Sequence, residues 1–288
     1  MKRRLHLLII DPQNDFCDLP SDHRPDDPAT GGQYAPALPV PGAHQDMLRV
    51  AKLIDGGRAG IGAISVTLDS HHRYDIAHPG FWYAHDGAPV APFTQISAAE
   101  VRAARYLPRR PDALPRALAY LDALEAAGRY RLMIWPVHCE IGTWGHNVHA
   151  AVRAAYNRWE EAALGVAAKI VKGSNPWTEH YSAVMAEVPD AGDPATQRNE
   201  ALIADLARVD AIYIVGEAGS HCVKSTTEHI ADAFGPQAAK LVLVTDCMSP
   251  VDGFDPQYQA FLLAMRARGV RLAQSDQVLQ ELLLNAGR

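Results

Sequence analysis

Three side chains of complementary chemistry follow three apolar runs. Asp11 comes directly after LHLLII (5–10), Lys172 ends AAKIVK (167–172), and Cys222 lies beyond AIYIVG (211–216) in the stretch GEAGSHCVKSTTEHI. A carboxylate, an ammonium and a thiol brought together are the parts of a nucleophilic site, in which the thiolate attacks and the other two manage its proton and charge. Singly, each has an ordinary explanation: a turn aspartate, a solvated lysine, a buried inert cysteine. Their shared position at strand ends is what singles them out. Cys222 also stands where a helix is expected to begin, and unpaired N–H groups and the helix dipole there favour a thiolate. The expectation is a thiol pKa lowered from about 8.5 toward roughly 3.5–7.5. A second polar group, Asp69 and His71, follows the apolar run IGAISVTL (61–68).

The elements that must position these residues are legible as alternating patterns. Besides the four runs above, KLVLVT (240–245) reads as a buried strand, with RLMIW (131–135) and VRLA (270–273) as weaker candidates. Their Ile, Val and Leu content with little alternation suits a parallel sheet covered on both faces. Helical spacing recurs between them, as in Met47, Val50, Ala51 and Ile54 before Gly56-Gly57, and in Leu114, Leu118, Leu121 and Leu124 before Gly128. Asp255 reads as the N-cap of a late helix with Pro256 at its first position and Gly269 past its end. Strand followed by helix, repeated, predicts an α/β fold: a doubly wound, mostly parallel sheet with helices on both faces, in three α/β/α layers. In such sheets ligands bind outside the carboxyl ends of the strands, where Asp11, Asp69, His71, Lys172 and Cys222 fall.

Composition narrows the function classes. The chain has 288 residues, 48% of them hydrophobic, enough to bury a large core as one α/β domain over 1–288. Segments 17–42 and 83–130 interrupt the alternation as insertions, of the kind that form lids or binding loops. A net charge of −6 provides no field for nucleic acid or an anionic membrane, so a small-molecule partner is expected. The run Leu7–Ile10 is too short for a signal peptide or a membrane span, and four scattered Cys form no disulfide framework. A soluble, cytoplasmic protein with reduced thiols is the expectation. Of 13 His, six (His71, His72, His78, His138, His146 and His149) fall in two short stretches.

Together these motifs resemble the isochorismatase-like cysteine hydrolases, and within them the metal-containing nicotinamidase and pyrazinamidase branch. The matching residues are DPQNDF (11–16), DSH (69–71), WPVHC (135–139), Lys172-Gly173 with Tyr181 nine residues after the lysine, and GEAGSHCV (216–223). As an ordered set spanning most of the chain they are specific. The resemblance implies a sheet of about six strands and an Asp11, Lys172, Cys222 triad that hydrolyses a small carboxamide to acid and ammonia through a thioester. It implies an oxyanion hole from the backbone N–H groups of Ala218 and Cys222, next to a cis peptide at Glu217–Ala218. It implies one divalent metal on Asp69, His71 and His138, with Zn²⁺ ahead of Mn²⁺ or Fe²⁺, a ring pocket of Phe16, Trp135, Tyr181 and His221, and a homo-oligomer. His72 and His78 read instead as turn or loop histidines, with His78 able to complete or support the metal set.

Departures from the pattern lie around the pocket. His221 stands before the cysteine where nicotinamidases often carry Tyr, and HPGFW replaces the His-x-Ser-Phe of that branch. They bear on the substrate more than on the reaction. Three other readings compete: a relative acting on another amide or carbamoyl compound, a hydrolase in which metal-bound water attacks, and a non-catalytic binding protein on the same fold.

Overall fold

The computed structural model describes residues 2–287. Ten strands occur: β1 (Leu5–Ile10), β2 (Ala63–Asp69), β3 (Trp82–Ala84), β4 (Thr94–Ile96), β5 (Tyr106–Pro108), β6 (Leu132–Ile134), β7 (Ala168–Lys172), β8 (Ala211–Gly216), β9 (Leu241–Val244) and β10 (Arg271–Ala273). The helices are α1 (Ala43–Gly57), α2 (Ala98–Arg102), α3 (Leu114–Ala127), α4 (Ala150–Ala163), α5 (Glu200–Ala207), α6 (Cys222–Phe234), α7 (Asp255–Ala267) and α8 (Ser275–Ala286).

Six strands form one all-parallel sheet in the order β10-β9-β8-β1-β2-β7. From β1 the chain runs outward to β2 and β7, then returns to β8 on the other side of β1 and runs outward again. The order therefore reverses at β1, where the carboxyl ends of neighbouring strands diverge and leave a crevice. Helix α1 packs against α4 and α8, while α6 packs against α5 and α7, giving the three expected layers. Strands β1, β8 and β9 are wholly buried, as their largely apolar runs require.

The edge strand β7 is different. Val171 is 59% exposed, and the buried residue of this strand is its lysine, Lys172, at 3%. An ammonium that is buried while its apolar neighbour faces solvent is held by something specific.

Two sequence readings change. The run 131–135 forms β6, but β6 pairs antiparallel with β4 in a separate ribbon instead of joining the sheet. Helix α7 begins at Asp255 itself with Phe254 as its cap, so Asp255 lies in the first turn, where its charge still suits the dipole. The 83–130 segment builds the β3–β5 ribbon, strand β4, and helices α2 and α3. The 17–42 segment is mostly irregular and is tied down by Asp15 and Asp18, which accept from the N–H groups of Ala37, Gly42 and His44.

Gly216 closes β8 with φ 113, and a Cβ there would lie 2.0 Å from the Ile10 carbonyl oxygen. Both the left-handed conformation and the contact with β1 require glycine. Gly216→Ala should cost about 2–3 kcal/mol in urea denaturation; a variant as stable as the wild type would contradict this packing.

Candidate active site

Asp11 follows β1 with φ 40, a left-handed conformation that short polar side chains tolerate. Its N–H donates to Thr67 Oγ1 at 2.9 Å, and the Thr67 hydroxyl donates back to Asp11 Oδ1 at 2.5 Å. Strand β2 thus fixes the carboxylate at the end of β1. Lys172 Nζ lies 2.9 Å from Asp11 Oδ2 and 2.9 Å from Asp69 Oδ1, donates to the His180 carbonyl at 3.0 Å, and stands 3.6 Å from Cys222 Sγ. Burial acts to lower the lysine's pKa, but Asp11, Asp69 and Cys222 together raise it well above its ordinary value. Lys172 is therefore a permanent cation.

Cys222 is the first residue of α6, behind a turn whose Glu217–Ala218 peptide is cis. The backbone N–H groups of Ala218 and Cys222 have no acceptor among the described residues, so two adjacent donors are free to receive an oxyanion. Burial raises the thiol pKa well above its usual value; Lys172 draws it down, while Asp11 and Asp69 push it up again. This reverses the expected lowering. A helix N-terminus is a weak field beside the desolvation of a 6% exposed sulfur flanked by two carboxylates. The resting group is a thiol and needs a proton acceptor. Burial also raises Asp11, against the pull of Lys172, which makes its carboxylate a better base.

Beside this triad, Asp69 Oδ2 lies 3.0 Å from His71 Nε2 and 3.3 Å from His138 Nε2. The other ring nitrogens are engaged outward: His71 Nδ1 with Asp75 at 3.2 Å, His138 Nδ1 with the Pro136 carbonyl at 2.8 Å, and His78 Nδ1 with the His72 carbonyl at 3.2 Å. A carbonyl can only accept, so His78 and His138 carry their protons on Nδ1 and turn Nε2 lone pairs inward. His78 lies in the loop after β2, as its sequence position suggests, but it is fully buried and its Nε2 has no partner among the described residues, so its ring is turned into the structure. Ligand atoms of His71, His78 and His138 lie within 4.8 Å of one another. Three imidazoles with anchored outer nitrogens, with the Asp69 carboxylate against His71 and His138 but outside the three-histidine cluster, fit a divalent ion of the zinc type. His78→Asn should weaken Zn²⁺ binding at least about 10-fold in a chelator competition; unchanged affinity would return His78 to a packing role.

The four ring-pocket residues are brought close to one another and to this centre. Phe16 packs on His138 at 5.4 Å between centroids, and Trp135 Nε1 donates to Tyr181 Oη at 3.0 Å. His221 meets Trp135 edge-on at 5.2 Å and lies 5.3 Å from Tyr181. The Val251 N–H donates to Ser220 Oγ at 3.0 Å, and the same hydroxyl pairs with His221 Nδ1 at 2.9 Å, which fixes the ring. Burial, with Lys224 nearby, lowers the His221 pKa to about 3, so this ring is neutral.

Several contributors were not singled out in the sequence. Gln13 Oε1 accepts from Asp69 N at 2.7 Å and its Nε2 donates to Asp69 O at 2.7 Å, bracing the metal-side carboxylate from the first loop. Asp15 Oδ2 accepts the Cys139 N–H at 2.7 Å. Tyr130 and Phe254 extend the aromatic wall, at 4.7 Å from Tyr181 and 4.6 Å from His221. Gln13 and Asp15 lie inside the quoted DPQNDF, but Tyr130 and Phe254 carry no motif.

Glu217, at the cis bond, is fully buried; its Oε2 accepts from Ser249 N at 3.1 Å, while Ser249 Oγ donates to Asp46 Oδ2 at 2.6 Å. Burial, reinforced by Asp46, holds its carboxyl well above the usual range. The native state therefore keeps a proton that the unfolded chain releases above the ordinary glutamate pKa. Stability from this group is present below that pKa and is lost as pH rises toward the folded value. In urea melts between about pH 5 and pH 9, Glu217→Gln should gain on the wild type by up to ~1.4 kcal/mol per pH unit; parallel profiles would mean that Glu217 is ionised when folded.

The comparisons with known proteins agree with this architecture. No protein-family model matches the chain, and no curated protein matches it significantly. Solved structures do. A nicotinamidase/pyrazinamidase of Acinetobacter baumanii superposes with TM-score 0.59 at 20% identity, covering 96% of this chain and 98% of the other. A yeast nicotinamidase bound to the inhibitor nicotinaldehyde gives 0.57 at 18%, with coverage of 94% and 99%. A pyrazinamidase of Pyrococcus horikoshii in complex with zinc gives 0.51 at 19%, with coverage of 94% and 99%. These likenesses show the fold: the chain has the isochorismatase-like α/β/α fold, in the form taken by nicotinamidases and pyrazinamidases. Among the described residues no helix is long and apolar enough to cross a membrane.

Proposed function

We propose that this protein is a metal-assisted cysteine amidohydrolase that cleaves a small carboxamide of the nicotinamide type to the acid and ammonia. The observation that carries the reading is the convergence of three charged or ionisable groups from three strand ends: Lys172 Nζ stands 2.9 Å from Asp11 and 3.6 Å from Cys222 Sγ.

In this reading Asp11 takes the Cys222 proton as Sγ attacks the amide carbonyl, and Lys172 offsets the charge that forms between them. The N–H groups of Ala218 and Cys222 receive the oxyanion. Asp11 returns the proton to the departing nitrogen, ammonia leaves, and a thioester remains on Cys222. Asp11 then draws a proton from water, which attacks the thioester, releases the acid and restores the thiol. Phe16, Trp135, Tyr181 and His221 would hold the ring flat. A divalent ion on Asp69, His71, His138 and His78 would supply a Lewis acid that anchors a substrate ring nitrogen, and zinc is favoured by the histidine-rich donor set and by the zinc in the Pyrococcus horikoshii neighbour.

Ammonia release from nicotinamide, pyrazinamide and aliphatic amides tests the reading. Aromatic amides should be cleaved, and Cys222→Ala should lower kcat by roughly 10⁴–10⁶-fold with metal content unchanged. Undiminished turnover in that variant would move the attack to metal-bound water, and cleavage confined to aliphatic amides would remove the nicotinamide assignment while keeping the triad.

A further inference from the structure

A cavity of about 210 Å³ adjoins the aromatic wall and shares Tyr181 and His221 with it. Its other lining includes Arg129, Tyr130, Arg131 and Lys224, so three cations and no carboxylate face the space. Lys224 lies two residues beyond Cys222 in the first turn of α6. Two of the cations are partly offset from behind. Arg129 Nη2 is 3.1 Å from Glu228 and donates to Ser225 Oγ at 2.9 Å, its Nε is 3.8 Å from Glu187, and Lys224 Nζ is 3.2 Å from Glu228. Arg131, which is exposed, has no ion-pair partner among the described residues.

Tyr130 organises the group: Lys224 donates to its hydroxyl at 3.2 Å, and both Lys224 and Arg129 stand over its ring, at 4.7 and 5.8 Å. The ring of His221 lines the same cavity beside these cations. The segment Arg129–Arg131 also borders a second cavity of about 610 Å³, which Glu125 lines as well. The volume beside His221 is below the roughly 300 Å³ at which whole-ligand pockets begin, and suits a substituent. Guanidinium and ammonium groups in such a place recognise carboxylate or phosphate.

We propose that this cavity receives an anionic substituent, carboxylate or phosphate, on the side of the substrate away from its scissile amide, so that the substrate is a negatively charged aromatic carboxamide in preference to a neutral one. The inference rests on the amidase reading and names its substrate class. The cations come from the turn between α3 and β6, at the end of the 83–130 insertion, and from α6.

The test compares four amides: nicotinamide, a nicotinamide bearing a carboxymethoxy substituent on the ring, its methyl ester, and the phosphonooxy analogue. At low salt, kcat/KM for the acid should exceed that for the ester at least about 10-fold, with the gap closing as salt rises. Arg131→Gln should remove most of that ratio and Arg131→Lys should retain part of it; the phosphonooxy arm decides between carboxylate and phosphate. An acid-to-ester ratio near one in the wild type, or an unchanged ratio in Arg131→Gln, overturns the inference while ammonia release keeps the amidase reading. If none of the four releases ammonia, the amidase reading fails. Equilibrium binding of the same acid and ester to the Cys222→Ser variant then decides the cavity on its own, with equal affinity overturning it.

Discussion

A buried ammonium holds this site together. Lys172 is the buried residue of a strand otherwise turned to solvent, and it reaches Asp11, Asp69, a backbone carbonyl and the Cys222 sulfur from one nitrogen. Removing a lone charge from water costs several kcal/mol, and only well-placed opposite charges and hydrogen bonds offset it. Each of those partners in turn needs the lysine: without it two carboxylates and a thiol would share a dry cavity uncompensated. Burial raises the thiol's pKa in the resting state, so in the proposed reaction the nucleophile is generated by proton transfer to a neighbour.

The fold brings these charges together because its strand order reverses at β1. Asp11, Asp69 and Lys172 sit at or just past the carboxyl ends of β1, β2 and β7, and the turn after β8 brings Cys222 to the same edge. Asp69 serves two centres at once, one oxygen toward Lys172 and the other toward His71 and His138. Triad and imidazole cluster therefore share a wall, and neither can shift far without the other.

Much of this was legible from residue order. The apolar runs marked the six-stranded sheet to within two residues, most directly for β1, β8 and β9, which are buried on both faces and leave little room for polar substitution. The polar residues immediately after those runs marked the crevice. What escaped was set by packing at a distance. RLMIW has a strand's composition, but its partner is Thr94–Ile96, a pairing that no local pattern announces. His78 looked like a loop residue because its role depends on where its ring turns, with Nδ1 on the His72 carbonyl. Tyr130 and Phe254 join the aromatic wall from loops whose paths the sequence does not specify, and the direction of the thiol's pKa shift depends on burial, which outweighs the helix terminus.

Gln13 shows how a crevice can be cut into a sheet edge at little structural cost. Its side-chain amide presents one donor and one acceptor to the backbone of Asp69, as a neighbouring strand's peptide would, just past the last β1–β2 backbone pair at Ile9 and Val66. The main chain of the first loop is thereby released from the ladder while the hydrogen bonding of β2 continues uninterrupted. Two strand ends can then splay by about the length of a glutamine side chain. The amide works as a spacer, and the opening it spans is part of the architecture of the sheet.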